Sequence, residues 1–190
     1  MNMNKDWTRT LAQAIVLGAV LAAVPMLGMD KPTNSPAEHA GETDAYLAAG
    51  VRHQLLLLPY YSIFDNLEYR MEGGRVELFG QVTRPILKSD AENVVKRVEG
   101  VEGVTNNIQV LPLSPNDDRI RLAEYRALFG RGTLYRYALG ANPSIHIIVE
   151  NGNVTLAGVV SSEMDRNIAG IEANGVPGVF SVTNNLRVES

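Results

Sequence analysis

The sequence predicts an α+β protein of two tandem αββαβ modules, each a three-stranded sheet with two helices packed on one face. Two observations predict this fold class. The second half of the chain repeats the first at a constant spacing. Each copy also contains alternating apolar strands, joined by glycine-containing turns, between segments of helical periodicity. Apolar residues make up 45% and charged residues 20% of the chain, which is typical of proteins that bury a core.

The repeat runs without gaps through most of each copy. Three pairs of segments match at one spacing of 78 residues: 74–82 (GRVELFGQV) with 152–160 (GNVTLAGVV), 98–101 (VEGV) with 176–179 (VPGV), and 104–110 (VTNNIQV) with 182–188 (VTNNLRV). A single offset through all three pairs indicates duplication of one module.

Each copy is predicted to begin with a helix. Apolar residues recur at helical spacing over residues 44–58, and again after Asp117, where a carboxylate can cap the first turn. The spacing places Leu122, Tyr125 and Phe129 on the apolar face of this second-copy helix.

Two alternating strands follow each of these helices. They are joined through Gly73-Gly74 in the first copy and through Asn151-Gly152 in the second. A two-residue type I′ turn requires positive φ at both positions, and these residue pairs favour it. The sequence therefore predicts a tight β-hairpin in each copy.

A second helix and a last strand complete each copy. In the first copy the helix is predicted from Pro85 to Val98, and the strand over residues 104–110. The alternation of side chains places Asn106, and Asn184 in the second copy, on the core side of that strand. An unpaired buried amide costs about 1–3 kcal/mol, so we expect both asparagines to be structural, tying the strand to the preceding turn.

The N-terminal residues predict export. Lys5 and Arg9 precede an apolar run over residues 11–24, the pattern of a secretory signal peptide, and an uncleaved membrane anchor is the alternative. Two prolines and few apolar residues then indicate a flexible linker. The predicted organisation is residues 1–29 as signal peptide or N-terminal anchor, 30–43 as linker, 44–113 as the first module and 116–190 as the second.

The composition and motifs argue against catalysis and against nucleic-acid binding. The chain has no cysteine, which excludes disulfides, thiolate zinc sites and a cysteine nucleophile. Its three histidines lack metal-ligand spacing, and neither a phosphate-binding loop nor a nucleophile elbow is present. The net charge of −4 is spread evenly along the chain, without a basic block. We therefore expect no catalytic residue, cofactor or metal.

Two surfaces are candidates for binding. Between residues 119 and 139 arginines alternate with aromatic residues, a composition that suits an anionic membrane interface. The alternative is an ordinary helix with solvated arginines and a core of aromatics. The candidate membrane or partner contacts in this stretch are Arg126, Arg131, Arg136, Tyr135 and Tyr137.

The second candidate surface is the outer face of the second sheet, which is more apolar than that of the first. An uncovered apolar face usually marks an interaction site, here either between the two modules or with an outside partner. Its candidate residues are Ile148, Ala157 and Val159, and His146 is expected on the same open face.

The motif Gly-x-Val-x-Leu-x-Gly-x-Val at 74–82, with the segments 98–101 and 104–110 and their second copies, resembles the BON family. These small modules occur in bacterial osmotic-shock-inducible periplasmic proteins and in nodulation proteins. The resemblance covers about residues 44–190. It implies a non-enzymatic, periplasmic or envelope-associated protein that contacts phospholipid membrane surfaces and supports the envelope under stress. A protein-interaction or scaffold module of the cell envelope, without lipid binding, is the alternative.

Overall fold

The computed structural model describes residues 36–130, 132–140 and 142–189, with side chains from residue 44 onward. The described residues fall in one compact unit. In chain order the elements are α1 (Pro36–Leu56), β1 (Asn66–Glu72), β2 (Arg75–Val82), α2 (Pro85–Val95), β3 (Gly103–Asn106), β4 (Gln109–Val110), α3 (Pro115–Phe129), a 3-10 helix (Thr133–Ala138), β5 (Ile145–Glu150), β6 (Asn153–Val160), α4 (Glu163–Asn174) and β7 (Ser181–Val188).

Both copies have the same sheet topology, which confirms the predicted fold class. In the first copy β1 pairs antiparallel with β2, and β3 and β4 both run parallel to β2. In the second copy β5 pairs antiparallel with β6, and β7 runs parallel to it. The last strand is interrupted between β3 and β4 in the first copy, whereas β7 is continuous.

The predicted hairpin turns are confirmed. Gly73 and Gly74 have φ values of 52° and 79°, and Asn151 and Gly152 have φ values of 52° and 77°. Positive φ at both central residues is the requirement of a type I′ turn, whose twist matches that of the flanking strands.

The second glycine of the repeated motif is required by close packing of the backbone. Gly80 and Gly158 have φ values of 111° and 123°. A Cβ atom added at Gly80 would collide with the carbonyl oxygen of Asn66, and one at Gly158 with that of Ser144. The motif is therefore a signature of this fold, since no other residue fits these two positions.

Each sheet has its own apolar core, formed against its helices. Buried residues of the first core include Val51, Val76, Leu78, Leu87 and Ala91. Buried residues of the second core include Ile145, Ile147, Leu156, Ala169 and Leu186.

The first helix begins earlier than the sequence predicted. α1 starts at Pro36, so the prediction of a flexible linker is wrong for residues 36–43, which are helical. A proline at a helix start loses no hydrogen bond there. The predicted signal peptide or anchor, and residues 30–35 of the predicted linker, lie outside the described residues.

The buried side of α3 differs from the predicted one. Phe129 is buried, but Leu122 and Tyr125 are 49% and 40% exposed.

The first helices of the two copies match at a spacing of 73 residues rather than 78. Gly178 lies against Ile120 of α3, and the equivalent Gly100 lies against Leu47 of α1. The last residues of α1 and α3, Leu56 and Phe129, have the same spacing of 73. The 3-10 helix lies in the stretch that accommodates the additional five residues before β5.

The segment between α1 and β1 joins the two modules. Ile63 is only 8% exposed and belongs to the core of the second module, although it precedes the first sheet. Its carbonyl oxygen accepts a hydrogen bond of 2.8 Å from the backbone N–H of Ile147 in β5. The ring of Tyr61 packs on His146, with centroids 5.6 Å apart. The second module is therefore completed by residues of the first copy.

Candidate functional site

The arginine–aromatic stretch falls on two elements that pack together, α3 and the 3-10 helix. Arg126 on α3 and Tyr135 on the 3-10 helix are exposed. Tyr137 is only 7% exposed, so its burial removes it from the surface that we expected it to join. Arg131 lies outside the described residues. The structure thus brings only part of the predicted contact set to the surface.

Arg136 and Tyr137 hold the 3-10 helix on the start of α4. The Tyr137 hydroxyl and the Arg136 guanidinium donate to Oδ2 of Asp165, at 2.9 and 2.6 Å. Ser162 donates to the same oxygen at 2.6 Å, and the backbone N–H of Ser161 donates to the Tyr137 hydroxyl. The hydrogen bonds from Ser162 and Tyr137, together with the Arg136 charge, lower the pKa of Asp165. Arg136 therefore has a structural partner, although half of its side chain is exposed.

The side of α3 that faces solvent carries a mixed apolar and basic surface. Leu122 lies three residues from Arg119 and from Tyr125 and four from Arg126, so the four residues share one side of the helix, and all four are exposed. We call these four residues the α3 outer face. The Tyr125 ring packs against Phe129, with centroids 5.4 Å apart. Leucine and tyrosine are thus presented to solvent between two arginines.

The position of α3 is fixed at its N-terminus. Ser114 caps the helix by accepting a hydrogen bond from the backbone N–H of Asp117 at 3.2 Å. The two carboxylate oxygens of Asp117 accept hydrogen bonds from the backbone N–H groups of Asn151 and Gly152, both at 2.9 Å. The helix is therefore tied to the β5–β6 hairpin, and its outer face has a defined orientation on the module.

Glu124, on the opposite side of α3, is fully buried. Within the described part of the chain, neither carboxyl oxygen has a hydrogen-bond partner. Burial raises the pKa of Glu124 from its ordinary 4.5 to about 8. Sequence reasoning missed this residue because glutamate is rarely buried without a partner. The signal that identifies it is the spacing of 73 residues, which matches Glu124 with the buried Val51.

The outer face of the second sheet is largely covered within the chain itself. Ile148 and Ala157 are 4% and 8% exposed, and Val159 is half-buried. Ala157 and Val159 line a cleft of about 1060 Å³, whose other wall includes Arg52 of the first module. Little of this face remains for an outside partner.

His146 lines the same cleft and lies between the modules rather than on an open face. Burial lowers the pKa of His146, against the opposing effect of the Asp65 and Ser62 backbone carbonyls and the Asp65 carboxylate. Its stacking on Tyr61 assigns it to the contact between the modules. No cluster of three or more histidine, aspartate or glutamate residues suited to a metal occurs among the residues that the structure describes.

None of the helices in the described ranges combines the length and the apolar character needed to cross a bilayer.

Comparison with known proteins identifies the family. A family model of the BON domain matches residues 43–112 and 136–190. The chain belongs to the BON domain family. The two matched segments contain the two β-hairpins with their motif glycines, so this BON protein carries the module twice.

Solved structures add little to the family assignment. CdsD, a structural protein of the type III secretion system of Chlamydia trachomatis, is 14% identical over 76% of this chain and 92% of its own, with a TM-score of 0.30. The C-terminal domain of CdsD is 16% identical over 76% of this chain and 98% of its own, with a TM-score of 0.27. No curated protein gives a significant match.

Proposed function

We propose that this BON protein is a non-enzymatic binding protein of the cell envelope that contacts anionic phospholipid surfaces through the α3 outer face. The observation that carries the proposal is the exposure of Leu122 and Tyr125 between two arginines on a helix of fixed orientation. Membership of the BON family supports a role at the envelope.

The chemistry of the α3 outer face suits the boundary between lipid headgroups and water. Leu122 and Tyr125 supply apolar and aromatic surface at headgroup depth, where tyrosine is favoured. Arg119 and Arg126 supply the positive charge that anionic lipids attract, at about 1 kcal/mol for each arginine near the surface. Because exposed charges are screened within about 8–10 Å at physiological ionic strength, this binding is salt-sensitive.

Co-sedimentation with vesicles tests the proposal. The chain from residue 35 is used, so that the apolar N-terminal residues make no contribution. The double variant Arg119→Gln, Arg126→Gln removes two contacts of about 1 kcal/mol each, and we expect its partitioning onto phosphatidylglycerol-containing vesicles to fall about thirtyfold. High salt should reduce binding of the parent to the same degree, and neutral vesicles should bind both proteins weakly.

The matched control is the double variant Arg75→Gln, Arg97→Gln, which changes the net charge equally at exposed positions of the first module. It should bind as the parent does. Equal loss in both double variants would indicate a general charge effect, and full binding by the α3 variant would remove this face from the mechanism.

Export and a role in stress are further parts of this proposal. Residues 1–29 act as a signal peptide or anchor, and the modules at 44–113 and 116–190 keep the envelope intact under osmotic stress. Mass spectrometry of the N-terminus of the protein isolated from the envelope fraction distinguishes cleavage from anchoring. Survival of a deletion strain after osmotic shock tests the physiological role, and survival equal to that of the parent strain contradicts it.

A protein-binding scaffold is the second candidate function, and a different surface favours it. Met164 and Ile171 lie seven residues apart on α4 and are 72% and 71% exposed, which gives that helix an apolar outer side. Binding through this surface would be insensitive to salt and to replacement of Arg126. A parent protein that ignores anionic vesicles at low salt would therefore favour the scaffold.

A further inference from the structure

Glu124 takes the place in the second module that Val51 has in the first. The first helices of the two copies match at a spacing of 73 residues, from their packing on Gly100 and Gly178 and from their last residues. Val51 and Glu124 are both 0% exposed. A carboxyl group thus stands where the same fold elsewhere in the chain buries an apolar side chain.

Among the described residues, no charged side chain forms a hydrogen bond or an ion pair with Glu124. Arg121, one turn earlier, is buried, but its guanidinium donates to Asp118 at 2.6 Å and to the carbonyl oxygen of Val149 at 2.6 Å. Its Nε atom and both Glu124 oxygens have no hydrogen-bond partner among the described residues. The charged and titratable side chains on the elements packed against α3 are Glu150 and His146 of β5, Tyr135, Arg136 and Tyr137 of the 3-10 helix, and Glu163, Asp165, Arg166 and Glu172 of α4.

None of these groups forms a hydrogen bond or an ion pair with Glu124 in the described structure. Arg136, Tyr137 and Asp165 bond to one another. Glu150 accepts from Gln109 of the first module. An ionised carboxylate in this position would be buried without a partner, which is strongly unfavourable, whereas a protonated carboxyl is tolerated.

We propose that Glu124 is a proton-dependent switch for α3: the helix is docked on the second sheet while this carboxyl is protonated, and loss of the proton loosens it. The physical cause is desolvation of the charge. Both oxygens of Glu124 are buried, and movement of α3 away from the core exposes them to water. The helix that the switch controls also carries the α3 outer face.

The direction of the pH dependence follows from the two protonation states. The unfolded carboxyl ionises near its ordinary 4.5, whereas burial holds the pKa in the folded chain at about 8. Between these values the folded state binds more protons, so its stability falls as pH rises, and above about pH 8 the loss is complete. Because opening releases one proton, the equilibrium constant for opening rises about tenfold for each pH unit in that window.

Hydrogen exchange on the full chain tests the switch. After correction for intrinsic rates, the protection of α3 relative to α1 should fall about a hundredfold from pH 5.5 to 7.5. Glu124→Gln and Glu124→Val should abolish this dependence. The matched variant Val51→Glu should confer the same dependence on α1.

Two results would overturn the switch. Protection of α3 that is independent of pH would do so, and so would protection that rises with pH, which would mean that Glu124 ionises early and pairs with Arg121. Should the variants fail to fold, infrared spectroscopy of the parent still decides, since a protonated carboxyl band must be present at pH 6 and lost as the pH passes about 8.

A consequence for membranes rests on the proposed function: vesicle binding by the parent should weaken as α3 loosens. If the switch is present but vesicles are ignored, only the lipid function fails. If vesicles bind equally at pH 6 and pH 8.5 and α3 protection is constant, only the switch fails.

Discussion

Removing the side chain of Ile63 should destabilise the second module, although this residue belongs to the first copy. Ile63 is 8% exposed and packs in the core of sheet β5–β6–β7. Ile63→Ala removes three carbon atoms, worth about 0.8 kcal/mol each in transfer free energy, or about 2.4 kcal/mol. The cavity left behind raises the expected loss to about 3 kcal/mol.

Urea unfolding combined with hydrogen exchange locates this loss. We expect reduced protection in β5, β6 and β7, with β1 and β2 much less affected. Ile86→Ala is the matched control, because Ile86 is 49% exposed and should lose less than about 1 kcal/mol. Equal losses for the two variants, or a loss confined to the first sheet, would refute the conclusion that the first copy completes the second core.

Three further outcomes follow from the fold. Asn184→Ala should lower the free energy of unfolding by about 1–3 kcal/mol in a urea titration, because its amide donates to Arg166 O at 2.7 Å and accepts from Leu186 N at 3.2 Å. Vesicle binding by this variant, expressed per folded molecule, should equal that of the parent. Gly158→Ala should lower the melting temperature strongly, whereas Gly103→Ala, with no atom within 4 Å of the added Cβ, should have little effect. The fragment 116–190 should gain stability when a peptide of residues 59–66 is added, since that peptide supplies Ile63; no gain would contradict the shared core.

The fold could be predicted because its determinants are local and repeated. Alternating strands, the Gly73-Gly74 and Asn151-Gly152 turns and the two motif glycines each have a short-range signature. The core-side placement of Asn184 is consistent with the structure, where it is half-buried and hydrogen-bonded. Its partner is the helix carbonyl of Arg166 rather than the preceding turn, which the alternation of side chains does not specify.

The buried side of α3 was wrongly predicted for an identifiable reason. The spacing of 78 residues holds for the strands but not for the first helices, because an insertion lies before β5. Hydrophobic periodicity therefore predicted that Leu122 and Tyr125 are buried, although both are exposed. The side of the helix that is buried includes Glu124. A prediction based on hydrophobicity fails where a polar residue occupies a core position.

The contacts that give Arg136 and Tyr137 a structural role are long-range, and no local sequence pattern indicates them. Arg136 and Tyr137 resemble surface residues in sequence, yet their partner Asp165 lies 28 or more residues later. The insertion of Ile63 into the second core is similarly invisible in the sequence. Such contacts depend on how two elements pack, which periodicity within each element does not determine.

A fluorescent probe on the α3 outer face tests the proposed membrane contact most directly. The chain has no cysteine, so Leu122→Cys can be labelled at one position with an environment-sensitive dye. Met164→Cys on α4 is the control, because Met164 belongs to the same module and is 72% exposed, against 49% for Leu122. With anionic vesicles at low salt, the probe at residue 122 should shift to the blue, and high salt should reverse the shift, while the probe at 164 stays unchanged. No shift at residue 122, or equal shifts at both positions, would contradict the proposal that this protein contacts the membrane through the α3 outer face.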